Sequence, residues 1–84
     1  MPQWFIWIPA ARAQLRAIDR VTAKRILDAL NRLRLGHGDI ENILGSEPPW
    51  KRFRVGDYRV IYRELSDGRY EIQEVGKRGE IYRG

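Results

Sequence analysis

The sequence predicts a small α+β domain, a mostly antiparallel sheet with a helical hairpin on one face, in the order β-α-α-β-β-β. Three observations predict it. A short aromatic run, Trp4-Phe5-Ile6-Trp7-Ile8, is closed by Pro9. Two stretches with apolar residues at helical spacing follow, broken at Asp19-Arg20. From residue 50 onward, charged residues alternate with β-branched and aromatic ones around two tight-turn signals, Gly56-Asp57 and Ser66-Asp67-Gly68.

The first run is too short and too aromatic for an amphipathic helix and suits a strand buried on both faces. Pro9 ends it and is also compatible with the first turn of a helix over 10–18, where Ala11, Leu15 and Ile18 recur at helical spacing. The pattern restarts over 21–35 at Ala23, Ile26, Leu27, Leu30 and Leu33, with Lys24, Arg25, Asp28, Arg32 and Arg34 on the outer face. Lys24 and Asp28 stand four residues apart and are expected to pair weakly. Gly36-His37-Gly38-Asp39 ends this helix, and residues 40–49, with Gly45, Ser46 and Pro48-Pro49, read as loop. Residues 50–62 read as two strands joined tightly at Gly56-Asp57. Period-two alternation turns Phe53 and Val55 to a core and leaves Arg52 and Arg54 together on the other face, about 7 Å apart. The next turn returns the chain through 69–75. There Tyr70 and Ile72 share a parity that Val75 breaks, so a bulge or strand end is expected near 73–76. A short Ile81-Tyr82 segment closes the chain.

With 84 residues, one domain over 1–84 is expected, with a core of modest size. Cysteine is absent, which removes disulfides and thiolate metal ligands, and the single His37 cannot build a zinc site alone. No cofactor or metal is expected. No apolar run reaches the length of a membrane span and no secretion signal opens the chain, so a cytoplasmic location is expected. The 16 Lys+Arg against 11 Asp+Glu leave a net charge of +5, which favours polyanionic partners, nucleic acid or acidic protein. The preference for arginine over lysine suits phosphate and base contact, although a GC-rich genome would produce the same bias.

The ordered motifs are similar to a known family. They are an opening Trp4-x-Ile6-x-Ile8-Pro9, Ala11 to Leu15, Arg25-Ile26-Leu27-Asp28-Ala29-Leu30, Leu44-Gly45, Phe53-Arg54-Val55-Gly56-Asp57-Tyr58-Arg59-Val60-Ile61-Tyr62 and Val75-Gly76-Lys77-Arg78-Gly79-Glu80-Ile81-Tyr82. Together they resemble the RelE/ParE superfamily of bacterial type II toxin–antitoxin toxins, more closely its RelE mRNA interferase branch, over nearly the whole chain. The resemblance implies a ribosome-dependent endoribonuclease that cuts mRNA in the A site, and a cognate RelB-like antitoxin that neutralises it and contacts operator DNA. By motif position the family's basic pair falls on Arg52 and Arg54, its strand arginine on Arg59, its late Gly-Lys-Arg arginine on Arg78 and its near-terminal tyrosine on Tyr82. Arginine stands at 52 and 54 where the family usually has lysine, and arginine is the poorer proton carrier.

Metal-free RNA cleavage deprotonates a 2′-OH, stabilises a pentacoordinate phosphate and protonates the leaving 5′-oxygen. An arginine cluster supplies the charge stabilisation. An unperturbed tyrosine, of pKa about 10, becomes a base only if neighbouring cations lower it. The expected assignment is Tyr82 as general base, Arg54, Arg59 and Arg78 around the phosphate, and Arg52 with Lys51, Lys77 and Trp50 binding RNA. Each has a structural competitor. Arg52 and Arg54 are equally the solvated face of an edge strand, Arg59 a buried arginine paired with Glu71 or Glu74, and Tyr82 a core cap. His37 reads as a solvated turn residue, and Trp4, Trp7, Tyr58, Val60 and Tyr62 as core. The competing functions are a ParE-like DNA gyrase inhibitor and a non-catalytic RNA-binding relic.

Overall fold

The structure, a computed structural model, describes residues 4–43 and 49–77. Its elements are β1 (Phe5–Trp7), α1 (Pro9–Ala17), α2 (Arg20–Arg34), β2 (Asp39–Asn42), β3 (Lys51–Val55), β4 (Tyr58–Glu64) and β5 (Tyr70–Lys77). The strands form one sheet in the order β1-β5-β4-β3-β2, antiparallel except that β1 runs parallel to β5. The α+β class is the one predicted, with one strand more than expected.

That strand is β2, where the sequence reads as helix end and loop. All four of its residues are exposed, so no apolar alternation marks them. What holds the strand is main-chain pairing with β3 and two ion pairs across it, Arg52 to Glu41 at 2.6 Å and Arg54 to Asp39 at 3.7 Å. The first strand also differs from expectation. β1 is a margin strand of half-buried residues, because β5 is its one partner and no described strand lies beyond it. The expected Ile81-Tyr82 segment lies outside the described residues.

Pro9 occupies the start of α1, where a missing N–H costs nothing. The break at 19–20 is a cap: the Asp19 carboxylate accepts the Thr22 N–H at 3.0 Å and opens α2. The helix closes with the Gly36 N–H donating to the Leu33 carbonyl at 2.9 Å and the His37 N–H to that of Arg32 at 3.0 Å, the paired bonds of a Schellman end. The expected Lys24–Asp28 pair is present at 3.0 Å, between exposed side chains.

Each helix covers its own part of one sheet face, α1 over β5 and β1, α2 over β3. Ala11, Ile26, Ala29, Leu30 and Leu33 meet Phe53, Val55, Val60, Tyr62, Ile72 and Val75 in the core, with Phe5, Trp7, Tyr58 and Tyr70 packed at its edge. Leu27 is the exception among the expected apolar positions of α2, 40% exposed at the margin of the stripe.

The β3–β4 hairpin turns through Gly56, whose φ of +59° is the left-handed conformation that a type II′ turn places at its first central residue. The bulge expected in the last strand is real. Ile61 pairs with Glu74 and Tyr62 with Ile72, leaving Gln73 unmatched, and this extra residue lets Ile72 and Val75 both face the core. Past Ile72, β1 no longer flanks β5, and the Gln14 side-chain oxygen of α1 accepts the Val75 N–H at 2.8 Å.

Candidate functional site

The sheet face opposite the helices carries the arginines, and the pairing registers arrange them in three rows. Side chains directly opposite on paired strands share a face, about 5 Å apart. The first row, beside the β3–β4 turn, holds Asp39, Arg54, Arg59 and Gly76; the second holds Glu41, Arg52, Ile61 and Glu74. The third joins Arg63 and Glu71 across β4 and β5, with Trp50 just before β3. Arg63 donates from Nε to Glu71 at 2.5 Å, and its guanidinium lies 4.7 Å from the centre of the Trp50 ring.

Four arginines are thus set among four carboxylates. Arg52, Arg54 and Arg63 each have an acidic partner. Arg59 is different: it is 6% exposed, and its Nη1 donates to the Gly56 and Tyr58 carbonyls at 3.0 and 2.9 Å. Its Nε is buried with no hydrogen-bond partner among the described residues, and no described carboxylate pairs with it. The expected pairing with Glu71 or Glu74 therefore does not form; Glu71 is engaged by Arg63. Carbonyl contacts solvate a guanidinium without neutralising it, so no described group offsets Arg59 in the row that ends at Gly76.

Arg52, Arg54 and Arg59 are brought together as predicted, and Trp50 lies on the same face. Lys51 and Lys77 do not join them. Lys51 has the parity of Phe53 and Val55, and Lys77 pairs with Tyr58, so period two turns both toward the helix-bearing side. Arg78 and Tyr82 lie outside the described residues. His37 sits in the Schellman end of α2, where it lines a cleft together with Asp39 and Arg54 of the first row. The described tyrosines of the core make poor bases: burial foremost, then the neighbouring Tyr70 and Glu64, pushes the Tyr62 phenol up to about 12, and burial raises Tyr70 as well. Among the described residues no cluster of side chains is arranged to hold a metal.

Sequence reasoning missed Arg63 and both β2 carboxylates. Asp39 and Glu41 are spaced two apart, as Arg54 and Arg52 are, and that matched alternation was the available signal.

A family model described as ParE toxin of type II toxin-antitoxin system, parDE, matches residues 5–82. The chain belongs to this toxin family. Two solved structures share the family's fold. The RelB-RelE antitoxin-toxin complex from Methanococcus jannaschii matches at a TM-score of 0.74 and 22% identity, covering 92% of this chain and 94% of that one. The archaeal RelE-RelB complex from Pyrococcus horikoshii OT3 matches at 0.73 and 24% identity, covering 94% and 98%. Comparison with curated protein sequences gives no match. The chain is therefore a toxin of the RelE/ParE superfamily. No helix among its described residues is long and apolar enough to cross a membrane.

Proposed function

We propose that this toxin is a ribosome-dependent mRNA endoribonuclease that acts in the cytoplasm, cutting in the A site by metal-independent attack of the 2′-OH. The observation that supports this reading is Arg59. It is a buried cation held, among the described residues, by carbonyls alone, directly across from Arg54 and beside Gly76, two residues before Arg78 in the chain. A fixed, uncompensated charge at low dielectric is what stabilises a developing phosphorane, since it costs no reorganisation during the reaction. In this reading Arg59 supplies the field, Arg54 and Arg78 bind the scissile phosphate, Tyr82 takes the 2′-proton, and Arg52 and Trp50 hold flanking RNA. Lys51 and Lys77, on the other side of the sheet, belong to a peripheral contact with the ribosome.

The partner proposed is an acidic, partly disordered antitoxin. Both matched structures are toxin–antitoxin complexes, and the +5 charge of this chain is complementary to such a segment. Operator DNA would be reached only through that antitoxin.

A second reading, inhibition of DNA gyrase without RNA cutting, is favoured by two observations. The matched family model is that of ParE toxins, and three of the four open-face arginines are paired with carboxylates. Primer extension on an mRNA being translated, run with Tyr82→Phe and Arg78→Ala, separates the two. The endoribonuclease reading expects each variant to lose cutting at least 100-fold while still binding RNA, a general base and a phosphate ligand being worth about that much each. Full cutting by both variants would remove the assigned roles; no cutting by the parent protein, with growth still arrested, would turn the search to gyrase.

A further inference from the structure

Among the described residues the open sheet face is balanced, four arginines meeting four carboxylates. The helical layer is strongly positive. Arg12, Arg16, Arg20, Lys24, Arg25, Arg32 and Arg34 lie on α1 and α2, opposed there by Asp28 and the capping Asp19. At the side of α2 this charge converges on a cleft of about 320 Å³ between the helix and the start of β2 and end of β3.

The sequence builds the cleft simply. Arg25, Ala29 and Arg32 stand at i, i+4 and i+7 on one stripe of α2, and the small Ala29 leaves a hollow between two long cations about 10 Å apart along the axis. Arg54 and His37 close the other wall, with the Gly38 and Gly56 backbones at its ends. Arg54 is loosely paired with Asp39, also in the lining, but Arg25 and Arg32 have no acidic partner among the described residues. Three guanidinium groups and an imidazole therefore face one carboxylate.

The geometry points to a phosphate-binding cleft that grips the backbone of a nucleic-acid strand, between α2 and the edge of the sheet, where Arg54 joins it to the first arginine row. Phosphate is favoured over an acidic peptide by what the cleft exposes. Its apolar residues, Ala29, Phe53 and Val55, are themselves buried, so none of these side chains stands out into the cleft for a peptide side chain to grip. What is presented is planar, two-pronged guanidinium and glycine backbone, which match phosphate oxygens at close approach. The inference goes beyond the cutting reading and does not need it. A protein that binds at this cleft and cuts nothing would keep this inference and lose that one.

The test is equilibrium binding of the purified chain to a single-stranded RNA and a DNA oligonucleotide of the same sequence, over a series of salt concentrations. The parent is compared with Arg25→Gln/Arg32→Gln and with Arg25→Lys/Arg32→Lys, each checked for native circular dichroism and melting. The glutamine variant is expected to weaken binding about tenfold or more and to lower the slope of log affinity against log salt by about one to two, irrespective of sequence. The lysine variant is expected to restore most of it. Loss on RNA alone assigns the cleft to RNA, and loss on both assigns it to any phosphodiester strand. Unchanged affinity and slope for both nucleic acids would overturn the proposal. So would unchanged nucleic-acid binding with loss of binding to polyglutamate, which would identify an acidic protein segment as the occupant.

Discussion

At the scale of single residues, two positions show how local chemistry dictates what the fold tolerates. Gly38 stands where a side chain has no room: a Cβ there would lie 2.6 Å from Phe53 Cε1 and 3.2 Å from Leu33 Cδ1, at a φ of +157°. Gly38→Ala is expected to destabilise the chain by about 1–3 kcal/mol, through overpacking of the core edge, in a urea unfolding titration. Tyr62 makes a different point. Its phenol, 2% exposed, is pushed up to about 12 by burial first and by Tyr70 and Glu64 next. The unfolded chain ionises near pH 10, so between about pH 10 and 12 the native state holds a proton that the unfolded state releases. Stability is therefore fully present below pH 10 and falls as pH rises through that window. Alkaline melting should show that fall, and Tyr62→Phe should flatten it. Arg59 was legible as a special residue from its place among aromatics in a central strand. Its backbone partners were not, because they come from the turn geometry of Gly56 rather than from any neighbour in the sequence pattern.

At the scale of elements, patterns that alternate or repeat were readable, and exposed pairing was not. The helices, the β3–β4 hairpin and the bulge in β5 each leave a periodicity or a break in one. β2 leaves none, since a fully exposed polar strand looks like loop until its partner is known. The cost of missing it was functional as well as architectural, for β2 delivers the carboxylates that hold Arg52 and Arg54. This makes a direct prediction. Glu41→Gln removes the partner 2.6 Å from Arg52 and should raise affinity for RNA about two- to fivefold with a steeper salt dependence, in a filter-binding or fluorescence-anisotropy titration. An unchanged affinity would mean that Arg52 does not meet RNA. Lys51 and Lys77 illustrate the same limit from the other side. Being basic and near the motif was insufficient, because one step along a strand changes the face.

At the scale of the whole molecule, fold and family were legible because the motifs run in order along nearly the entire chain, and the family model matches 5–82. The distribution of charge was not, since it depends on which strand faces which. A net charge of +5 reads in the sequence as one basic protein; among the described residues the sheet face is balanced and the helical layer strongly positive. A toxin built this way presents two different surfaces to its partners, one where charges are paired and await displacement, and one that attracts polyanions at a distance.

The measurement that tests the account most directly is primer extension on one mRNA incubated with the intact toxin in three states: free RNA, RNA under translation, and RNA under translation with an excess of the cognate antitoxin. The account predicts cuts within A-site codons under translation alone, absent from free RNA and suppressed by the antitoxin. Cuts of equal strength on free RNA, or no cuts under translation by a folded protein that still arrests growth, would contradict it.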